Sequence, residues 1–253
     1  MFYRMLCFYC LCLSSLLLLS TARASQPIVA ATAPWKPYTI QSHTRLSGIA
    51  VDIFQEIAKR ANLSVELKLY PAKRLSKMLK HKEIQINFAD SRIWNTPHDQ
   101  GYFIFSTPYM QVREHVYRNL LSPPISTPED LKGKRVGVVR GYYYPLFEPL
   151  FDSGSIVKDQ SNNAEILLQK LSMDRIDYGF FDDIQFMYLL SRSTFSPGNF
   201  HREIRLSEAP LSVKIHPDYH QLLKPINKAI GEMTEDGTIN EIIARYKQSG
   251  SFE

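Results

Sequence analysis

The feature that most constrains this chain is the alternation of short apolar segments with stretches whose apolar residues recur at helical spacing. The clearest of these stretches places apolar side chains on one helix face at Ala50, Ile53, Phe54, Ile57, Ala58 and Ala61. Short apolar segments typical of buried strands lie at residues 28–31, 84–89, 135–139 and 178–181. Strands connected through helices pair in parallel, and parallel sheets need helices on both faces. The sequence therefore predicts an α/β fold.

A proline-rich boundary at Ser122-Pro123-Pro124 divides the chain into two strand and helix series, which predict two lobes with a cleft between them. In open α/β sheets, ligands bind beyond the carboxyl ends of the strands. The segments at those ends are residues 32–38, 89–92, 140–144 and 181–183. We therefore expect the binding residues to come from these four segments.

The first 24 residues have the pattern of a secretory signal peptide. Arg4 supplies a positive start, residues 6–19 are almost entirely apolar, and Ala22-Arg23-Ala24 matches the small-residue cleavage pattern. The apolar stretch is 14 residues long, shorter than the roughly 20 that a membrane-spanning helix needs. An uncleaved anchor is therefore the less favoured alternative, and we expect export to the periplasm.

Removal of this leader changes the chemistry open to the chain. All three cysteines lie within it, so the mature chain has no disulfide bond and no thiolate metal site. Arg4 and Arg23 leave as well, so the formal net charge falls from +5 to +3. A charge this close to neutral argues against nucleic-acid binding, which needs a strongly basic surface.

Motifs for cofactors, metals and nucleophilic catalysis are missing from the sequence. It has no P-loop, no dinucleotide-binding glycine motif and no nucleophile elbow, so we expect no cofactor. His216 and His220 are four residues apart, but Pro217 lies between them and no third ligand is near, so no metal site is predicted. The sequence therefore favours binding over catalysis.

Five segments resemble a known family. They are Pro37-Tyr38, LSGIAVDI at 46–53, FSTPY at 105–109, EDLKGKRVGV at 129–138 and MTEDGTI at 233–239. Together they resemble the family 3 extracellular solute-binding proteins, the periplasmic group that includes the polar amino-acid receptors of ABC importers. The resemblance implies a type II periplasmic binding protein fold, in which each lobe is a mostly parallel sheet flanked by helices and two hinge connections join the lobes.

The resemblance also implies how the chain is divided. Residues 1–24 would be the signal peptide, residues 25–110 and 206–253 would form lobe 1, and residues 111–205 would form lobe 2. The hinge strands would then fall near residues 109–113 and 202–206.

The same resemblance implies a set of ligand contacts. Trp35 matches the aromatic residue that stacks on the ligand, although it would otherwise cap the core of lobe 1. Thr32 matches a polar position at the same strand end, and Asp182 matches the acid that pairs with the ligand's α-amino group. One of Asp182 and Asp183 is expected to cap the following helix, and the spacing assigns Asp182 to the cleft.

Further contacts are expected from the remaining strand ends. They are Tyr38, Ala89, Asp90, Tyr142 and Tyr143, the last two from a run of three tyrosines in which alternate rings are also candidates for the core.

One position departs from the family pattern. Where the amino-acid receptors carry an arginine that clamps the α-carboxylate, this chain has Asp99. An acid cannot replace the paired donors of a guanidinium. We hypothesise that Arg92 or Arg74 binds an anionic group in place of the missing arginine. We therefore expect a small polar or anionic ligand.

The resemblance implies a monomeric solute-binding protein that serves an ABC permease or a membrane sensor. The alternative is an enzyme on the same fold, similar to cyclohexadienyl dehydratase, in which cleft acids act on a carboxylated ring. Asp90, Asp99 and Asp182 are the candidate acids for that chemistry.

Overall fold

The computed structural model describes residues 27–43 and 45–248. The predicted signal peptide lies outside these residues. Within the described part, no helix has the length and apolar character required to cross a membrane.

The chain forms strands and helices in the alternating order that the sequence predicts. The strands are β1 (Ile28–Thr32), β2 (Ile40–Gln41), β3 (Leu46–Ser47), β4 (Val65–Leu69), β5 (Ile86–Asp90), β6 (Ile104–Phe105), β7 (Met110–Asn119), β8 (Arg135–Val139), β9 (Val157–Ser161), β10 (Tyr178–Asp182) and β11 (Phe200–Ile215). The α-helices are α1 (Ile49–Arg60), α2 (Ala72–Lys80), α3 (Pro97–Tyr102), α4 (Glu148–Asp152), α5 (Ala164–Ser172), α6 (Asp183–Ser191), α7 (Leu223–Glu235) and α8 (Thr238–Gln248).

One continuous sheet passes through both lobes in the order β4-β1-β5-β11-β7-β10-β8-β9, with β6 paired to β11. Strands β4, β1 and β5 are parallel in lobe 1, and β10, β8 and β9 are parallel in lobe 2. The long strands β7 and β11 join these two groups and pair antiparallel with their neighbours. The predicted two-lobed fold, with a mostly parallel group of strands in each lobe, is confirmed, but the two groups belong to one continuous sheet.

Strand β11 marks where the chain passes from one lobe to the other. It pairs with β7 up to Leu211 and with β5 from Ser212 onward. This crossing lies a few residues beyond the second predicted hinge at 202–206, while β7 begins at Met110, within the first one. The division of the chain into lobes at residues 110 and 206 stays a prediction.

Helices cover both faces of each parallel group. In lobe 1, Phe54 of α1 and Ile230 of α7 pack on one face, and Leu79 of α2 packs on the other. In lobe 2, Leu167 of α5 belongs to one buried cluster and Phe151 of α4 to another. The sheet is therefore buried on both sides, and the carboxyl ends of its parallel strands remain available to form a site.

The start of α1 fixes the loop that follows β1. Gly48 has a φ of 123°, and a Cβ there would lie 2.4 Å from the carbonyl oxygen of Tyr38, so only glycine permits this approach. The amide of Ala50 donates to that same oxygen at 3.0 Å, which satisfies one of the free donors at the helix start. The Tyr246 hydroxyl of α8 adds a donor to Asp52. The loop bearing Trp35 and Tyr38 is thus held rigidly against lobe 1.

Candidate functional site

A cavity of about 120 Å³ lies between the lobes, at the carboxyl ends of the parallel strands. It is formed where the segments predicted from the strand ends meet. Seven of the ten predicted site residues line it: Thr32, Trp35, Ala89, Asp90, Tyr142, Tyr143 and Asp182. The other three, Tyr38, Arg74 and Arg92, lie outside it.

Asp182 joins the two lobes at this cavity. Its Oδ2 accepts a hydrogen bond from Trp35 Nε1 at 2.8 Å, and its Oδ1 accepts one from the Tyr38 hydroxyl at 3.0 Å. The amide of Gln185 also donates to Oδ1, at 2.8 Å, so Asp182 caps α6 as well as lining the cavity. We call this arrangement of Trp35, Tyr38 and Asp182 the clasp.

Asp182 both caps α6 and lines the cavity, two roles that the sequence predicted would be divided between Asp182 and Asp183. Asp183 points elsewhere, because its carboxylate accepts from the Tyr117 hydroxyl at 2.8 Å and pairs with Arg202 at 3.1 Å. Tyr38, predicted to contact the ligand, instead lies behind Trp35 with the two rings stacked 3.7 Å apart. Trp35 both belongs to the core of lobe 1 and lines the cavity.

Glu114 of β7 is a second buried acid of the cavity, and the sequence did not single it out. It pairs across the sheet with Asp182 of β10, and its side chain is only 7% exposed. Its Oε2 accepts from Trp94 Nε1 at 2.8 Å and from the Ser207 hydroxyl. Two carboxyl groups therefore stand side by side on one face of the sheet.

Burial controls the protonation of this pair. Loss of solvent raises the pKa of Asp182 to about 7, and the charge of Glu114 acts in the same direction, against the hydrogen bonds that lower it. Burial likewise raises the pKa of Glu114. In the ligand-free cavity, Asp182 is therefore only partly ionised at neutral pH.

Asp90, at the end of β5, is held in a different way. Its Oδ2 lies 3.3 Å from the ammonium group of Lys214, a side chain that is only 1% exposed. Its Oδ1 accepts from Asn95 Nδ2 at 3.0 Å, and Asn95 Oδ1 in turn accepts from Lys214. Asp90 is thus a paired charge, unlike the two acids on β7 and β10.

Aromatic rings form much of the remaining wall. Trp94 meets Trp35 edge to face at a centroid distance of 5.6 Å. All three tyrosines after Gly141 line the cavity, and Tyr144 also packs in the core of lobe 2. Burial raises the pKa of Tyr142, so its hydroxyl stays protonated and able to donate.

The arginines expected to clamp an anion do not reach this cavity. The Arg92 guanidinium donates to the carbonyl oxygen of Gln100 at 2.6 Å and lies over the ring of Phe105. Asp99 sits in the first turn of α3, where its amide donates to the Thr96 hydroxyl. None of the described residues that line the cavity is lysine, arginine or histidine.

Basic side chains instead surround a wider outer opening of about 610 Å³, which shares Trp35 and Tyr142 with the cavity. They are Lys36, Lys73, Arg74 and Arg140. Lys36 of lobe 1 pairs with Glu165 of lobe 2 at 3.0 Å, which bridges the opening. The described residues contain no group of three or more side chains suited to a metal ion.

Comparison with known families identifies the chain. The model of the bacterial extracellular solute-binding proteins, family 3, matches residues 28–249. The arginine-binding extracellular protein ArtP of Bacillus subtilis is 24% identical over 87% of this chain and 85% of its own length. The L-cystine-binding protein TcyJ of Escherichia coli is 25% identical over 87% of this chain and 81% of its own length.

Solved structures show the same fold. An ancestral arginine-binding protein bound to arginine superposes with a TM-score of 0.74 at 22% identity, covering 87% of this chain and 97% of that one. A histidine kinase sensor domain with similarity to periplasmic binding proteins gives 0.76 at 20% identity, covering 87% and 95%. The predicted fold class is confirmed.

Proposed function

The chain belongs to the bacterial extracellular solute-binding proteins of family 3, and we propose that it captures a small, polar, amino-acid-like solute between its lobes in the periplasm. It then delivers the solute to an ABC permease. The observation that carries this proposal is the cavity at the strand ends, whose walls come from both lobes. A solute held there contacts both lobes at once.

Contacts from both lobes are what couple binding to closure. A ligand shifts an equilibrium between open and closed forms only through its difference in affinity for the two. In the open form, Trp35 and Asp182 are separated, so neither lobe alone provides the whole cavity wall. The solute therefore favours the closed form, which is the form a permease distinguishes from the empty protein.

The experiment is a thermal-shift screen of amino acids, dicarboxylates, polyamines and oligosaccharides, with each hit followed by small-angle X-ray scattering. A solute at 100 times its Kd adds about 2.7 kcal/mol to the free energy of unfolding. We expect one class to raise the melting temperature and to reduce the radius of gyration. No shift from any class would contradict capture.

A matched pair of variants locates the binding. Trp35→Ala removes an aromatic wall of the cavity and should abolish the shift. Leu121→Ala truncates a side chain that is 78% exposed and outside the cavity, so it should keep the shift. A solute that stabilises both variants equally binds elsewhere.

Enzymatic turnover is a second candidate function, favoured by one observation. A carboxyl group with a pKa of about 7 is suited to donate a proton at neutral pH. Incubation with prephenate or arogenate tests it, because product formation that Asp182→Asn abolishes would establish turnover. If no product forms, Asp182 acts in binding and not in catalysis.

A further inference from the structure

We propose that the inner end of this cavity holds the cationic group of the solute and contains no site for a carboxylate. The inference rests on the proposed function and names the chemistry of its solute. The sequence predicted a small polar or anionic solute, and this inference replaces the anionic alternative with a cationic group. It follows from the pairing of Asp182 with Glu114, from the absence of a neutralising base beside them, and from the rings around them.

The two acids are neighbours by sheet register. Asp182 and Glu114 are directly opposite each other on β10 and β7, a position at which side chains lie about 5 Å apart and like charges repel. Both side chains are buried, at 4% and 7% exposure. Two buried carboxyl groups at neighbouring positions need either a proton or a cation to offset their repulsion.

The protein supplies no cation to this pair. Among the described residues, no lysine, arginine or histidine forms an ion pair with Asp182 or Glu114, whereas Asp90 has Lys214. The indole N–H groups of Trp35 and Trp94, which donate to the two acids, are neutral. Within the described part of the chain, the hydrogen bonds that Glu114 accepts go to Oε2, and Glu114 lines the cavity wall.

The rings around the acids suit the same charge. The faces of Trp, Tyr and Phe carry negative potential and attract ammonium and guanidinium groups. Trp35, Trp94, Tyr142 and Tyr144 all line this space, and the hydroxyls of the tyrosines add neutral donors and acceptors. An alkylammonium group fits between the rings and gains both carboxylates.

The positions of the basic groups disfavour a solute bound with its carboxylate at the inner end. Arg74 and Arg140 lie at the outer opening, beyond Tyr142, and not at the inner end. A carboxylate placed inside would face Asp182 and Glu114 without a donor fork to neutralise it. A solute that carries both charges therefore enters with its cation inward and its anion toward the opening.

Matched ligands that differ only in the carboxylate test this directly. The probes are arginine and agmatine, lysine and cadaverine, and histidine and histamine, with succinate as the dianion, each titrated into the wild-type protein by isothermal calorimetry. We expect at least one amine to bind without a carboxylate, because its cationic group alone occupies the inner end. We expect succinate not to bind.

A variant of the unpaired acid adds a second readout. Glu114→Gln keeps an oxygen that accepts from Trp94 but removes the charge. It should therefore lower the affinity for the amine that binds the wild type by about tenfold or more. Glu129→Gln removes a charge from an exposed position on lobe 2 and should leave that affinity unchanged. The ligand pairs on wild type decide the question should Glu114→Gln fail to fold.

The outcomes separate this inference from the proposed function. If amino acids bind and none of their amines does, or if succinate binds in the cavity, capture stands and the cation inference is overturned. Equal affinity of wild type and Glu114→Gln for the amine also overturns it. If no solute of any class binds, the capture function itself fails.

Discussion

Replacing Asp182 with asparagine should change how the stability of the empty protein depends on pH. The side chain stays similar in size and keeps an oxygen for the clasp, but it no longer titrates. In the folded wild type, burial raises the pKa of Asp182 to about 7 from an ordinary value of 3.8. The unfolded chain exposes this group to water, where the ordinary value applies.

The sign of the effect follows from which state holds the proton more tightly. The folded protein does, so the stability that the protonated group contributes is complete below pH 3.8 and is lost as pH rises through 7. The shift of about three pH units corresponds to about 4 kcal/mol in total. Of this, about 2 to 3 kcal/mol is lost between pH 5 and pH 8.

The assay is urea unfolding of the ligand-free protein at several pH values across that range. The free energy of unfolding of Asp182→Asn, minus that of wild type, should rise by about 2 to 3 kcal/mol from pH 5 to pH 8. Glu114 is present in both proteins, so its contribution differs between them only through its coupling to the charge of Asp182. Asp152→Asn, a change at an exposed position, is the control and should give a constant difference. Parallel curves for wild type and Asp182→Asn would refute the assignment of a raised pKa to this carboxyl group.

Three further changes test the packing that builds the site, each by urea unfolding at neutral pH. Lys214→Met leaves Asp90, whose side chain is 13% exposed, without its cation and should cost about 3 kcal/mol; a loss below about 1 kcal/mol would contradict the pairing. Gly48→Ala forces a side chain into the carbonyl of Tyr38 at a positive φ and should cost more than about 1 kcal/mol, whereas a neutral result would show that the loop adjusts freely. Lys36→Ala removes an ion pair whose side chains are 46% and 40% exposed, so it should cost less than about 1 kcal/mol; a larger loss would give that bridge a greater part in closure.

Local patterns in the sequence were sufficient to predict most elements of the fold. The apolar stripe over residues 50–61 predicted α1, which spans Ile49–Arg60. The segment at residues 135–139 predicted β8 with the same bounds as in the structure. These predictions succeed because helix and strand periods depend on neighbouring residues. Segments at parallel strand ends could also be assigned to one edge of the sheet, which brought Thr32 and Asp182 to the cavity.

Residues that depend on long-range pairing could not be found in this way. Glu114 lies in β7, and the face of the sheet that it occupies depends on the register with β10, more than sixty residues later. Lys214 gives one signal, a lysine between Val213 and Ile215 in an apolar strand, yet its partner Asp90 is distant in the chain. Arg92 was predicted to enter the cavity because of its strand-end position, but the 3-10 turn that follows directs it to Gln100.

The clasp has a consequence for the protein without its solute. Because Trp35 and Tyr38 bond Asp182 directly, part of the free energy of closing comes from the protein and not from the solute. A fraction of the empty protein is therefore closed, and this fraction depends on the strength of these two bonds. Since protonation of Asp182 alters the bonds, pH sets how much of the empty protein is closed.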